Sequence, residues 1–436
     1  MKKLLALLSA VMLTAVVLSA QSPRTSNPPR QPAQAAPGAV RSAFAPDRLA
    51  RIDRFVQQYV DENRIAGAVA LVLRDGRPAY ERAVGWGDKE AGRRMTTDTI
   101  FRIASQSKAI TSVAVLSLVE EGKIDLGDAV SRFIPSFAKT TVAVRNGSEV
   151  TFVPAKRAIT IRDLLTHTAG ISYGTDRDVA SLYEAKGLGP AAGFGWYTAD
   201  KDEPICTTME RLGSLPFVAQ PGEQWVYGYN TDILGCVVER ASGLPLDEFV
   251  RTRITEPLRM KDTRFFLPPG QRERLAAVYG SGKDGRIARA PDGPKGQGDY
   301  VDGARRSFAG GAGILSTARD YARFLEMIRN DGVLEGVRVL APRTISLMTT
   351  NQVGTLHSSA GLGFGLGFET TDRFGASGME SVGSFGWGGA YGTWYRVDRE
   401  ARLVMVLMIQ LLPNGTDFRQ KFPTLVYQAL VGPPTT

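Results

Sequence analysis

Between residues 47 and 63, Leu49, Ile52, Phe55, Val56, Tyr59 and Val60 recur at helical spacing. That periodicity predicts an amphipathic helix with one apolar face. Two β-rich runs follow, 68–74 and 79–86, on either side of Asp75-Gly76, and read as a hairpin. From Ser105 to about Val250 helical patterns dominate, separated by Gly- and Pro-rich loops. Ile110, Val113, Ala114 and Leu118 mark one helix, stopped at Gly122. Another is expected over about 231–241, stopped at Gly243. Residues 265–310 are rich in Gly, Pro and Asp and read as loops. Helical spacing returns over 317–330 and ends at Gly332. Strands are expected at about 364–370, 381–386, 391–398 and 402–410, then a helix at about 417–430. No internal repeat is present.

Strands thus occupy both ends of the globular part, with helices between them. Hairpin connections make the sheet antiparallel, so the first and last segments must lie side by side in it. The expected fold is α/β of the α+β kind: an antiparallel sheet flanked by helices, with a mostly helical second lobe inserted at roughly 120–310. The crevice between lobes is the natural place for a site.

Composition adds a compartment. Lys2 and Lys3 precede an almost wholly apolar stretch, 4–20, and no further charge occurs until Arg24. This is the layout of a secretory signal peptide over 1–20; the competing reading is a retained anchor, for which about 17 residues is at the short limit. Residues 21–45, rich in Pro, Gln and Ala, read as a disordered tether, and 46–434 as the folded domain. The expected location is exported, periplasmic or secreted. Lys and Arg outnumber Asp and Glu 53 to 44, but they are scattered, so no nucleic-acid partner is expected. Nor is stable membrane insertion, once a signal peptide is removed. The two cysteines, Cys206 and Cys236, could form a disulfide in an oxidising compartment or stay as buried thiols.

Ser105-Gln106-Ser107-Lys108 is a Ser-x-x-Lys tetrad where a loop becomes a helix. Residues three apart share a helix face, which brings Lys108 beside the Ser105 hydroxyl. Serine needs such an adjacent base to act as a nucleophile. The tetrad alone is weak, because Ser136-Phe137-Ala138-Lys139 has the same spacing; that copy follows Pro135, leads into a strand-like run and reads as coincidence. Context separates the two. Phe101-Arg102-Ile103-Ala104 before Ser105 and the alanine-containing helix after Lys108 resemble the nucleophile segment of class C β-lactamases, DD-peptidases and related esterases, whose serine motif has known partner motifs. Thr160 to Gly170, Pro221-Gly222-Glu223 with Trp225, and Ala309 to Gly313 with Ser316, Thr317 and Asp320 resemble the same superfamily in the same order. The resemblance spans roughly 44–428.

That resemblance implies a second catalytic element, usually Tyr-x-Asn. Here Tyr227-Gly228-Tyr229-Asn230 offers two tyrosines and no such motif. Family VIII esterases and the lovastatin-type acyltransferase place a Tyr eight residues before a Gly, which selects Tyr227 over Tyr229 as proton relay; Tyr229 is then expected among substrate contacts. The third element, usually Lys-Thr-Gly, is replaced by Trp387-Gly388-Gly389, as in family VIII esterases, and the resemblance assigns the oxyanion hole to the backbone N–H groups of Ser105 and Ala390. Without that Lys, a cation for a substrate carboxylate is missing, which favours neutral esters over acidic lactams.

Only two histidines occur, His167 and His357, and no Gly-x-Ser-x-Gly elbow, so a Ser-His-Asp triad is not expected. His167 reads as structural. Two isolated histidines without paired cysteine ligands argue against a metal site. Gly361-Leu362-Gly363-Phe364-Gly365 lacks the context of a dinucleotide fingerprint, and no cofactor is expected. The sequence therefore points to a serine hydrolase forming an acyl-enzyme on Ser105, in first place a carboxylesterase for short-chain or neutral esters. A β-lactamase or D-alanyl-D-alanine carboxypeptidase is the alternative, and an acyltransferase or a non-catalytic peptidoglycan binder comes after it. The partner is a small ester or lactam; oligomeric state is not legible.

Overall fold

A computed structural model describes residues 44–189, 198–199, 201–291 and 298–432. The expected signal peptide and nearly all of the tether lie outside the described residues. The main sheet comprises β1 (Gly67–Arg74), β2 (Arg77–Asp88), β3 (Arg93–Arg94), β4 (Leu362–Phe364), β5 (Glu369–Thr371), β6 (Phe385–Gly388), β7 (Trp394–Asp398) and β8 (Leu403–Met408), in the order β4-β5-β6-β7-β8-β1-β2-β3. Every neighbouring pair in it is antiparallel. As the alternation of strands and helices implies, the first hairpin joins the last strand: Val69 pairs with Met408 and Leu73 with Val404. Asp75 and Gly76 both have positive φ, as a tight hairpin turn of the favoured type requires.

β1 and β8 are apolar on both faces because each face is covered. Val69, Leu71, Val404, Val406 and Met408 pack with α2 (Ser107–Glu120) and α5 (Ala318–Arg329). Ala68, Ala70, Val72, Met405 and Leu407 pack with α1 (Pro46–Asp61) and α6 (Phe418–Tyr427). Alternation along the strands sends successive residues to opposite cores. α2 is buried almost all round, from Ser107 to Leu116, which is how a helix at the centre of a domain reads. The same core takes in α3 (Ile205–Gly213) and α4 (Asn230–Ser242). Cys206 and Cys236 form a disulfide that staples α3 to α4. Closing a loop of this length is worth about 3.5 kcal/mol in the chain-entropy account.

Three expectations are corrected. The single strand expected over 364–370 is two strands, β4 and β5, because Gly367 has φ 100° and the Gly365 N–H closes a turn on Phe368 O at 2.7 Å. The helical middle also holds a hairpin, Thr141–Asn146 with Glu149–Pro154, turned by Gly147 at φ 62°. The loop-rich 265–310 stretch contains another short pair, Tyr279–Ser281 with Ile287–Arg289. Among the described residues, no helix is long and apolar enough to cross a membrane.

Candidate active site

The segment that carries Ser105 is held from several directions before it turns into α2. Phe101–Arg102 pairs with Leu315–Ser316. On its other side the buried Gln410 amide acts like a strand: it accepts from Arg102 N–H at 3.1 Å and donates to Arg102 O at 3.0 Å. Ala104 then adopts φ 44°, a left-handed conformation uncommon for a residue with a Cβ. A 3-10 turn, Ala104–Gln106, leads straight into α2. Tyr321 OH donates to Gln106 O at 2.9 Å, and Ile314 N–H donates to the Ser107 hydroxyl at 3.0 Å. Ser105 is left half-buried at the mouth of this frame.

Lys108 lies one turn on, only 2% exposed. Its Nζ is 3.4 Å from Ser105 Oγ, 3.0 Å from Tyr173 OH and 2.7 Å from Gly311 O. The same ammonium sits 4.7 Å from the centre of the Tyr227 ring. Tyr227 OH accepts the Trp387 indole N–H at 3.2 Å. Ser105, Lys108, Tyr227 and Trp387 are thus brought together from three separate stretches of chain.

Gly311, which seats Lys108, is itself seated by Asp232 on α4. Asp232 accepts from Gly311 N–H at 3.2 Å and from the Thr198 hydroxyl at 2.9 Å. Burial pushes its carboxyl above the usual range, with nearby Lys108 pulling the other way. Tyr227 reaches Lys108 because Gly228 lets two segments touch: a Cβ there would lie 2.3 Å from Ile171 O. Behind Tyr227, at 4.9 Å between ring centres, is His167, fully buried with φ 58°. Asn230 Nδ2 donates to Ile171 O and Val226 O and lies 2.9 Å from His167 Nδ1. Asn230 thus ties the His167 ring to two backbone carbonyls. Burial, and next the Lys108 charge, hold the His167 pKa well below the ordinary value.

The aromatic wall continues outward. Trp225 stacks on Tyr227 at 5.8 Å, and His357 meets Trp225 edge-on at 4.5 Å. His357 Nε2 pairs with Glu369 at 3.2 Å, and Glu369 with Arg396 at 3.0 Å. Both histidines of the chain therefore stand near the site, in a wall of rings, and among the described residues neither hydrogen-bonds to Ser105.

Gly388 and Gly389 extend β6 past the Ala104–Gln106 turn, and Ala390 packs against Ala104 and Tyr391. The Ala390 N–H donates to no acceptor among the described residues. Tyr229 is corrected: it is fully buried, its hydroxyl accepts the Gly189 N–H at 3.0 Å, and its ring backs Tyr173 at 4.9 Å. It is a support for the site and offers no surface to a substrate. Tyr173 was not singled out from the sequence, although it follows the family-like Thr160 to Gly170 segment by three residues. A tyrosine just beyond such a segment is the signal that was available.

Fold and site together define a serine hydrolase built on the β-lactamase and transpeptidase architecture. The Beta-lactamase family profile matches residues 52–429, and the chain belongs to that family. It is 36% identical over 390 residues to Esterase EstB of Burkholderia gladioli, covering 86% of this chain and 93% of that protein. It is 30% identical over 326 residues to monacolin J acid methylbutanoyltransferase of Aspergillus terreus, covering 71% and 72%. Among solved structures, EstCE1, described as a hydrolase with promiscuous acyltransferase activity, superposes with a TM-score of 0.74 at 28% identity, covering 88% of this chain and 99% of that one.

Proposed function

We propose that the protein is an exported carboxylesterase working through an acyl-enzyme on Ser105. The observation that carries the reading is the replacement of the usual lysine by Trp387, whose N–H holds Tyr227 OH at 3.2 Å. Lys108 and Tyr227 act as a coupled pair that shares one proton. In the first step the pair receives the Ser105 proton while Oγ attacks the ester carbonyl, and the N–H groups of Ser105 and Ala390 hold the tetrahedral oxyanion. The Tyr227 hydroxyl returns the proton to the departing alcohol. Water then enters and gives its proton to the same pair as it attacks the acyl carbonyl, and the pair passes that proton to Ser105 Oγ as the acid is released. Similarity to an esterase and to a promiscuous hydrolase supports this reading. An acceptor alcohol in place of water would make the second step acyl transfer, and the transferase relative keeps that reading second.

The test is hydrolysis of p-nitrophenyl butyrate and nitrocefin by purified protein and its Ser105→Ala variant. Ester turnover that outpaces the lactam and disappears in the variant is expected. Lactam turnover exceeding the ester would replace the esterase reading with a β-lactamase, and activity retained without the Ser105 hydroxyl would remove the nucleophile assignment.

A further inference from the structure

Trp387 leaves β6 without the cation that a Lys-Thr-Gly strand carries, but a different element brings one to the next residue. Arg419, in the first turn of α6, reaches back toward β6. A Cβ at Gly388 would lie 2.8 Å from Arg419 Nη2 and 3.0 Å from Cζ. The guanidinium thus fills the room a side chain at 388 would occupy, and glycine at that position is what admits it. Gly388 and Arg419 are both half-buried, so the pair is open to solvent on one side.

Arg419 is an unusual arginine here. Burial works against its charge, and only the more distant Glu369 supports it. Glu369 is already engaged by His357 and Arg396. Among the described residues Arg419 forms no ion pair and no side-chain hydrogen bond, whereas desolvated charges are normally paired. The neighbouring position repeats the theme: the Thr393 hydroxyl, fully buried and without a partner, fills the space of the missing side chain at Gly389. Two polar groups with unused hydrogen-bonding capacity therefore flank the bare Gly388-Gly389 backbone.

The direction of an ester across this backbone follows from the proton it needs. The departing alcohol must meet Tyr227 OH, which is held by Trp387, the chain neighbour of Gly388. The alcohol half thus runs along 387–389. We propose that Arg419 is a specificity residue that receives a carboxylate on the alcohol half of the substrate, so that the enzyme prefers acidic esters to neutral ones. This rests on the carboxylesterase reading and reverses the neutral-ester expectation drawn from the missing lysine.

The test compares 3-acetoxybenzoate with its methyl ester, which differ in one charge at the same leaving phenol. The ratio of their kcat/KM values should favour the anion and fall about 10- to 100-fold in Arg419→Gln, the loss of one hydrogen-bonded charge contact. Arg419→Lys should recover part of the ratio. An unchanged ratio, or equal loss on both esters, overturns the proposal and leaves Arg419 a packing residue. Calorimetric titration with 3-hydroxybenzoate reads the same contact without turnover: Ser105→Ala should bind it more tightly than Ser105→Ala combined with Arg419→Gln. Equal affinities overturn the proposal whether or not any ester is cleaved, which separates its failure from that of the esterase reading. If Arg419→Gln does not fold, the unaltered chain decides: KM for the anion must rise with ionic strength while KM for the methyl ester stays level, and two level curves overturn it.

Discussion

Ser105-Gln106-Ser107-Lys108 and Ser136-Phe137-Ala138-Lys139 share a spacing, and both serines sit in 3-10 turns. Beyond that they part. The first turn runs into a fourteen-residue buried helix, and Lys108 ends among Ser105 Oγ, Tyr173 OH and Gly311 O. The second stops at Lys139, because Thr140 leaves the turn with ψ 143° to begin a strand, and Lys139 points to solvent. A lysine in water is a hydrated cation with no reason to serve its neighbour. Lys108 is instead enclosed by a carbonyl, a phenol and two aromatic faces, 3.4 Å from the Ser105 hydroxyl. The tetrad supplies spacing; the surroundings supply chemistry.

The strongest way to break this contrast is to remove both serines in turn. Ser105→Ala should reduce ester kcat/KM by about 10⁴-fold or more. Tyr227→Phe keeps the ring over Lys108 but deletes the hydroxyl that Trp387 holds; a fall of about 10²- to 10⁴-fold in kcat is expected, with the fold intact by circular dichroism. Tyr173→Phe removes one of three polar neighbours of Lys108 and should cost about tenfold, the worth of one hydrogen bond. His167 sharpens the contrast through stability. Its folded pKa is depressed, so below about pH 6.5 the unfolded chain takes a proton that the folded chain refuses. Stability should then fall by about 1.4 kcal/mol per pH unit on acidification. His167→Asn, which tolerates the left-handed backbone, should flatten that part of the pH-dependent melting curve, and an unchanged slope would show that another group sets it. Ser136→Ala and Lys139→Ala should leave activity within about twofold and stability within about 0.5 kcal/mol; a large loss in either would end the distinction between the two tetrads.

What could be read from the chain alone follows from what local pattern encodes. The apolar period of α1, the Asp75-Gly76 turn and the Gly122 and Gly243 stops are written in short windows and were legible. Ordered motifs singled out Ser105, Lys108, Tyr227 and Trp387, and the fold brings these four side chains together. The rest depends on distant segments meeting. Tyr173 gains its role from Lys108, 65 residues earlier; Tyr229 is buried because Tyr173 and Gly189 close over it. Arg419 lies in a helix whose apolar period says nothing about β6. Gly367 splits one apolar run into two strands, and nothing in hydropathy marks which glycine in 361–367 makes the turn.

The pairing of β1 with β8 also carries a consequence for assembly. Val69 and Met408 are 339 residues apart (408 − 69), yet they are partners at the centre of the sheet. Such high contact order slows folding. Until the last strand arrives, the early hairpin has an unpaired apolar edge, and both hydrophobic layers wait with it. The serine site inherits that timing: Gln410, two residues beyond the final strand, is one of the clamps on the segment that leads to Ser105. The barrier to solvent and the turn that carries Ser105 are therefore completed in the same late folding event.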